Sequence, residues 1–169
     1  MAKGQYQLNL IFDCYKILLK TSLKIFLLLC FFALGTNLFA QDKKRADSVR
    51  ALLKTPGITE KKKAWALAQL GWDVSYSDLE EGLKYAEEAI AIAKKNSYGL
   101  ELAHAYNVAG TIYMDLGNYP VAMDYLLRAS QNYAAINDKK GQAIASGNLG
   151  IVYTRRGEFR KALHAYYID

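Results

Sequence analysis

Beyond residue 46 the apolar positions recur every three to four residues, the period of a helix with one buried face, and no stretch alternates apolar and polar residues as a half-buried strand would. Val49, Leu52 and Leu53 mark a short helix over 47–54, ended by Thr55-Pro56-Gly57. Thr59 is placed to cap a second helix running to about Val74. Its residues Ala64, Leu67, Ala68 and Leu70 share a face, with Trp65 and Trp72 beside it. Ser77-Asp78-Leu79-Glu80 has capping-box spacing and opens a third helix to about Lys95, striped with Leu83, Ala86, Ile90 and Ala93. A fourth helix runs from Leu100 to Leu116 and stops at Gly117, where a left-handed backbone costs little. Asn118 caps a fifth, to about Ile136, with Pro120 in its first turn. A sixth covers about Lys140 to Arg156, closed by Gly157, and a seventh begins near Glu158. The fold class is therefore all-α, with antiparallel helix pairs joined by short turns.

One pattern in this series occurs twice. Gly110, Tyr113, Gly117, Tyr119 and Ala122 return forty residues later as Gly150, Tyr153, Gly157, Phe159 and Ala162. A period of this size is the mark of a stacked helical array, in which no unit can bury its apolar face alone. Small residues at Gly110, Gly150, Ala122 and Ala162 let paired helices cross closely, while Tyr113, Tyr119, Tyr153 and Phe159 fill the wider gaps as core residues. An earlier, degenerate unit has Leu67, Leu70-Gly71, Val74, Gly82 and Ala86 in the same order.

The Leu-Gly pair, the following Tyr, and the Ala with a large residue four places on resemble the tetratricopeptide repeat family, over roughly Lys61 to the end. The resemblance implies a short right-handed solenoid of about three units over 60–169, the last incomplete at Asp169, so the chain reads as truncated at its C-terminus. The period of forty exceeds the family's usual thirty-four, which implies helices longer by about a turn and a half per pair. In this family the first helix of each pair lines a concave groove that binds protein or peptide segments. The resemblance puts Asn107, Thr111, Met114 and Asp115 of the second unit, and Gly147, Ile151, Thr154 and Arg155 of the third, on that face. Some family members clamp a terminal carboxylate with lysines and asparagines; Val108, Ile144 and Gly147 stand in the matching slots here, which argues against that mode. Long-period versions resemble exported bacterial chains, among them the extracytoplasmic sensory parts of sensor kinases and transcription regulators. The implied function is a non-catalytic interaction scaffold, with a truncated sensory domain lacking its membrane helix and output domain as the alternative.

Composition changes this picture at the front of the chain. Hydrophobic residues make up 52% of the 169, but part of that figure belongs to the leader. Lys16, Lys20 and Lys24 precede an apolar run from Ile25 to Gly35, followed by Thr36 to Ala40 and a polar stretch. Positive flank, short apolar core and small terminal residue describe a secretory signal peptide over 1–40, cleaved after Ala40, with an uncleaved N-terminal anchor as the alternative. About eleven apolar residues fall short of the roughly 20 a spanning helix needs. Residues 41–59 are then a short leading helix and linker. The leader predicts export, to the periplasm or the outer face of a bacterial cell, with membrane attachment only through an uncleaved leader.

Half of the formal charge of +6 lies in the first forty residues, and the remainder shows no basic stripe interleaved with aromatics, which excludes a nucleic-acid reader. Both cysteines, Cys14 and Cys30, precede Ala40, which leaves the rest without a disulfide framework or thiolate metal site. His104 and His164 have no second ligand at metal spacing and read as surface or rim residues. No phosphate loop, nucleophile elbow or zinc-protease motif occurs, and Glu80-Glu81 and Glu87-Glu88 are helix neighbours that point apart. No enzyme, cofactor or metal is expected.

Overall fold

The computed structural model describes residues 44–167. The signal peptide with its cleavage site, Cys14, Cys30 and the position of Asp169 lie outside the described residues. Seven helices follow one another: α1 over 44–53, α2 Glu60–Ser75, α3 Leu79–Lys95, α4 Gly99–Asp115, α5 Tyr119–Ala135, α6 Lys139–Arg155 and α7 Phe159–Tyr166. The described residues contain no strand. Helices α3 to α6 have 17 residues each, the extra length that the forty-residue period predicts.

The turns explain the boundaries. Gly117 and Gly157 both take φ +75° with open space around them, so they serve the turn and not the packing of the repeat. In each case the residue after the glycine donates its N–H to the carbonyl five residues back, Asn118 to Tyr113 and Glu158 to Tyr153, which closes the preceding helix. Asn118 then accepts from the Val121 N–H, and Asp138 from Gly141, to start α5 and α6. The first unit differs. Its hydrogen-bonded turn is one residue shorter, Asp78 donating back to Val74, and no residue of it is left-handed. Ser77 does not cap α3 as the capping-box spacing suggested. Asp78 does, accepting from the Glu81 N–H at 2.9 Å, while the Ser77 hydroxyl donates to the Val74 carbonyl.

Packing follows the small residues. A Cβ on Gly71 would lie 2.8 Å from the Gly82 carbonyl oxygen, and one on Gly82 would lie 2.7 Å from that of Gly71, so α2 and α3 meet backbone to backbone. In the second unit Gly110 faces Leu126, and in the third Gly150 faces the Tyr166 ring. Ala122 and Ala162 are buried as predicted, and Tyr113, Tyr119 and Tyr153 are half-buried against the cluster of Met114, Leu126, Leu149, Val152 and Ala165. Phe159 departs from the expectation of a core aromatic and is 68% exposed. Its counterpart forty residues earlier, Tyr119, is covered by the cluster that α6 and α7 complete. No described element packs on α7 in the same way.

The leading helix packs onto the repeats. It begins by residue 44, earlier than the expected 47, and Ala46, Val49 and Leu53 join the core with Ala66, Leu70 and Val74. Arg45 fixes it further. Its Nε and Nη2 reach Asp73 Oδ1 at 2.8 and 2.7 Å, and Gln69 donates to the same oxygen. The Asp73 side chain has no exposure, so it depends on these donors. Arg45→Ala is expected to cost about 1 kcal/mol, the low end for uncovering a buried acceptor, because the arginine is 45% exposed and water can enter. Urea unfolding would measure it, and faster amide exchange confined to α1 would locate it.

Candidate binding groove

The curvature of the array decides which helices line a groove. The backbones of α2 and α4 approach each other closely, as do those of α4 and α6, whereas α3 and α5, and α5 and α7, meet only through side chains. Helices whose backbones meet lie on the inner, shorter side of a curved stack. The groove floor is therefore α2, α4 and α6.

Each floor helix is also enclosed by its own partner and by the partner of the preceding unit, and this leaves a narrow stripe. Lys62, Trp65, Gln69, Trp72 and Tyr76 follow one another along α2 at steps of three and four. The repeat places Glu101, His104, Val108, Thr111 and Asp115 at the same positions of α4, and Gly141, Ile144, Asn148, Ile151 and Arg155 on α6; of these Glu101, Val108, Thr111 and Gly141 are buried, so the stripe is open mainly on α2 and α6. Trp65 is 44% exposed and Ile144 49%.

Of the residues predicted for the concave face, Asp115, Ile151, Thr154 and Arg155 are exposed and Gly147 is half-buried. Asn107, Thr111 and Met114 are buried, contrary to expectation. The reason is the contact between successive floor helices. Asn148 of α6 donates to the Asn107 side-chain oxygen at 3.0 Å and to the Thr111 hydroxyl at 3.5 Å, and Thr111 donates to the Asn107 carbonyl. Met114 belongs to the core cluster beneath. Asn107 and Met114 thus lie in the seam between floor helices, one step around α4 from the groove. Gly147 and Thr154, their counterparts on α6, are open because no described helix lies beyond. Arg155 also bridges the seam, donating to the Met114 carbonyl at 3.2 Å and to Asp115 at 3.0 Å.

Sequence reasoning missed Trp65, Gln69, Trp72, Tyr76, Glu101, His104, Ile144 and Asn148 as groove positions. Thr111, Asp115, Ile151 and Arg155 were on the stripe as predicted, and following their spacing back toward the start of each floor helix, and onto α2, leads to the others.

Two clefts open at opposite ends of the α2–α4 pair. One, of about 620 Å3, lies between Trp72, Tyr76, Asp78, Asp115 and Leu116. The rings of Trp72 and Tyr76 meet edge to face at 5.4 Å on its wall. The other, of about 450 Å3, is lined by Leu52, Lys61, Lys62, Trp65 and Glu101. Within it the Glu101 carboxylate is buried, its Oε2 has no hydrogen-bond partner, and the Lys61 ammonium stands 3.9 Å from Oε1. One turn along, the His104 Nδ1 is likewise buried without a partner.

His104, expected at the surface or the rim, is half-buried on the stripe. Burial pulls its imidazole below the ordinary pKa of 6.5, and Glu101 offsets this only in part. The folded state holds the ring neutral, so its contribution to stability is present above about pH 6.5 and is lost as pH falls below it. Urea unfolding at about pH 7 and about pH 5 should show this loss in the native chain, and His104→Gln should diminish it.

The described residues hold no group of three side chains suited to a metal ion and no helix long and apolar enough to cross a membrane. The groove offers mixed polar and aromatic surface and no nucleophile–base pair.

Comparison with known proteins agrees with this architecture. The family profile described as tetratricopeptide repeat matches residues 101–167. No curated protein sequence matches the chain. Among solved structures, the Rap conjugation gene regulator of the plasmid pLS20, in complex with the Phr* peptide, is similar with a TM-score of 0.65 at 22% identity. The match covers 78% of this chain and 36% of that one, so this chain spans about a third of its neighbour's length. At that identity the likeness concerns the fold. The helical repeats, the profile match and the shared fold agree: residues 101–167 belong to the tetratricopeptide repeat family.

Proposed function

We propose that this protein is an exported, non-catalytic scaffold that binds a peptide or an extended protein segment along the groove of α2, α4 and α6. The observation that carries the reading is the pair of clefts on that groove, each walled by a tryptophan that the fold leaves partly open to solvent. Exposed aromatic rings beside unsatisfied polar groups are what a peptide needs to gain both area and direction. The solved neighbour's complex with the Phr* peptide supports a peptide-sized ligand for this fold. Export rests on the signal-peptide pattern of residues 1–40.

The test is to pan a random heptapeptide display library against the full-length chain and measure the binders on variants. Ile144→Glu and Ile151→Glu, on the groove stripe, should weaken binding on the order of tenfold or more, as an apolar contact is replaced by a solvated charge. Leu127→Glu, exposed on the outer helix α5, should leave it unchanged. Equal losses from inner and outer substitutions would remove the groove assignment.

A further inference from the structure

The cleft at the front of α2 and α4 holds a chemical demand that the chain does not meet. Glu101 is 5% exposed, it lines the cleft, and its Oε2 accepts no hydrogen bond. Its other oxygen has only the Lys61 ammonium at 3.9 Å, too far for a hydrogen bond. A buried carboxylate in this state calls for a donor, and a charged donor answers it best. The wall beside it is the indole of Trp65, 44% exposed, and the rim is Leu52, 38% exposed. Tryptophan is the aromatic face that best holds a cation.

We infer that this cleft takes an arginine side chain of the bound peptide, its guanidinium lying on the Trp65 indole and donating to the free oxygen of Glu101. The inference rests on the groove reading above and gives its ligand a chemical character. The planar guanidinium suits the place better than an ammonium, because it stacks on a ring and donates from several N–H groups in one plane. Lys61, with a side chain 61% exposed, is the resident counter-ion and moves out to solvent when the guanidinium enters. Lys62 stays on the rim as a like charge, so the preference for a basic residue is local to Glu101 and not a property of the whole groove. Leu52 covers the aliphatic stem of the ligand residue.

The experiment compares the binders that the same heptapeptide library yields against the native full-length chain and against Glu101→Gln. Native selections should be enriched several-fold in arginine at one position, and Glu101→Gln selections should not. A synthetic peptide from the native set should bind on the order of tenfold more weakly when that arginine becomes citrulline, which keeps the shape and removes the charge. Lys61→Ala, an exposed change that spares the core, should tighten the arginine peptide by removing its competitor. Binders without arginine bias, or citrulline and arginine peptides that bind alike, would overturn the inference and give the Glu101 oxygen to buried water, with the groove reading intact. A library that yields no binder would overturn both.

Discussion

Leu126→Ala should lower the unfolding free energy by about 2–5 kcal/mol, the largest loss expected from a single substitution in this chain. Leu126 has no exposed surface and sits where two units share their interior, with Met114 and Ala122 on one side and Leu149, Val152 and Ala165 on the other. Removing it opens a cavity that neither unit can close alone, so the edge formed by α6 and α7 should loosen first. Urea unfolding followed by far-ultraviolet circular dichroism gives the size, and amide exchange gives the order. A double-mutant cycle sharpens the point. A Cβ on Gly110 would lie 2.7 Å from Leu126 Cγ and 3.2 Å from the Ala122 carbonyl oxygen, so Gly110→Ala harms the native chain and should cost less beside Leu126→Ala, which removes the closer contact.

Gly71→Ala should cost about 1–3 kcal/mol, and Gly147→Ala, the same chemical change on another floor helix, should add about 0.5–1 kcal/mol. Alanine is the better helix former in both cases. At Gly71 the new methyl meets backbone, the Gly82 oxygen at 2.8 Å and the Ala86 nitrogen at 3.1 Å, and backbone cannot turn aside as a side chain can. At Gly147 nothing lies within 4 Å. Thermal or urea unfolding of the two variants should therefore move in opposite directions. Movement in the same direction would mean that α2 and α3 are not held in backbone contact.

These contrasts show what the sequence could and could not disclose. Helix ends were legible because Gly117, Gly157, Asn118 and Thr59 act through local geometry, and the structure places each at its expected turn. The repeat was legible because Gly110, Gly150, Ala122 and Ala162 mark close crossings that recur at one period. The groove stripe was legible only in part, at Thr111, Asp115, Ile151 and Arg155, for a physical reason. Helix α4 is enclosed by α3, α5, α2 and α6, so all but two of its residues from Glu101 to Ile112 are buried. A helix enclosed in this way has no polar face to read, and Asn107 and Thr111 look like surface residues until Asn148 is seen to bind them across the seam. Phe159 was misjudged for the converse reason: its burial depends on a neighbouring element and not on its own residue type. Trp65 and Trp72 stood beside the apolar stripe of α2, and their partial exposure depends on the neighbouring helices and not on residue type.

Those two tryptophans give the most direct test of the central claim, that the inner groove is the binding surface. They are the only tryptophans in the chain, they stand seven residues and so about 10 Å apart along α2, and each walls one cleft. An extended heptapeptide, about 23 Å long, reaches both. In a nitrogen-15 NMR titration of the full-length chain with a selected peptide, both indole N–H resonances should shift and saturate together with binding. Saturable binding that moves neither indole would contradict the account.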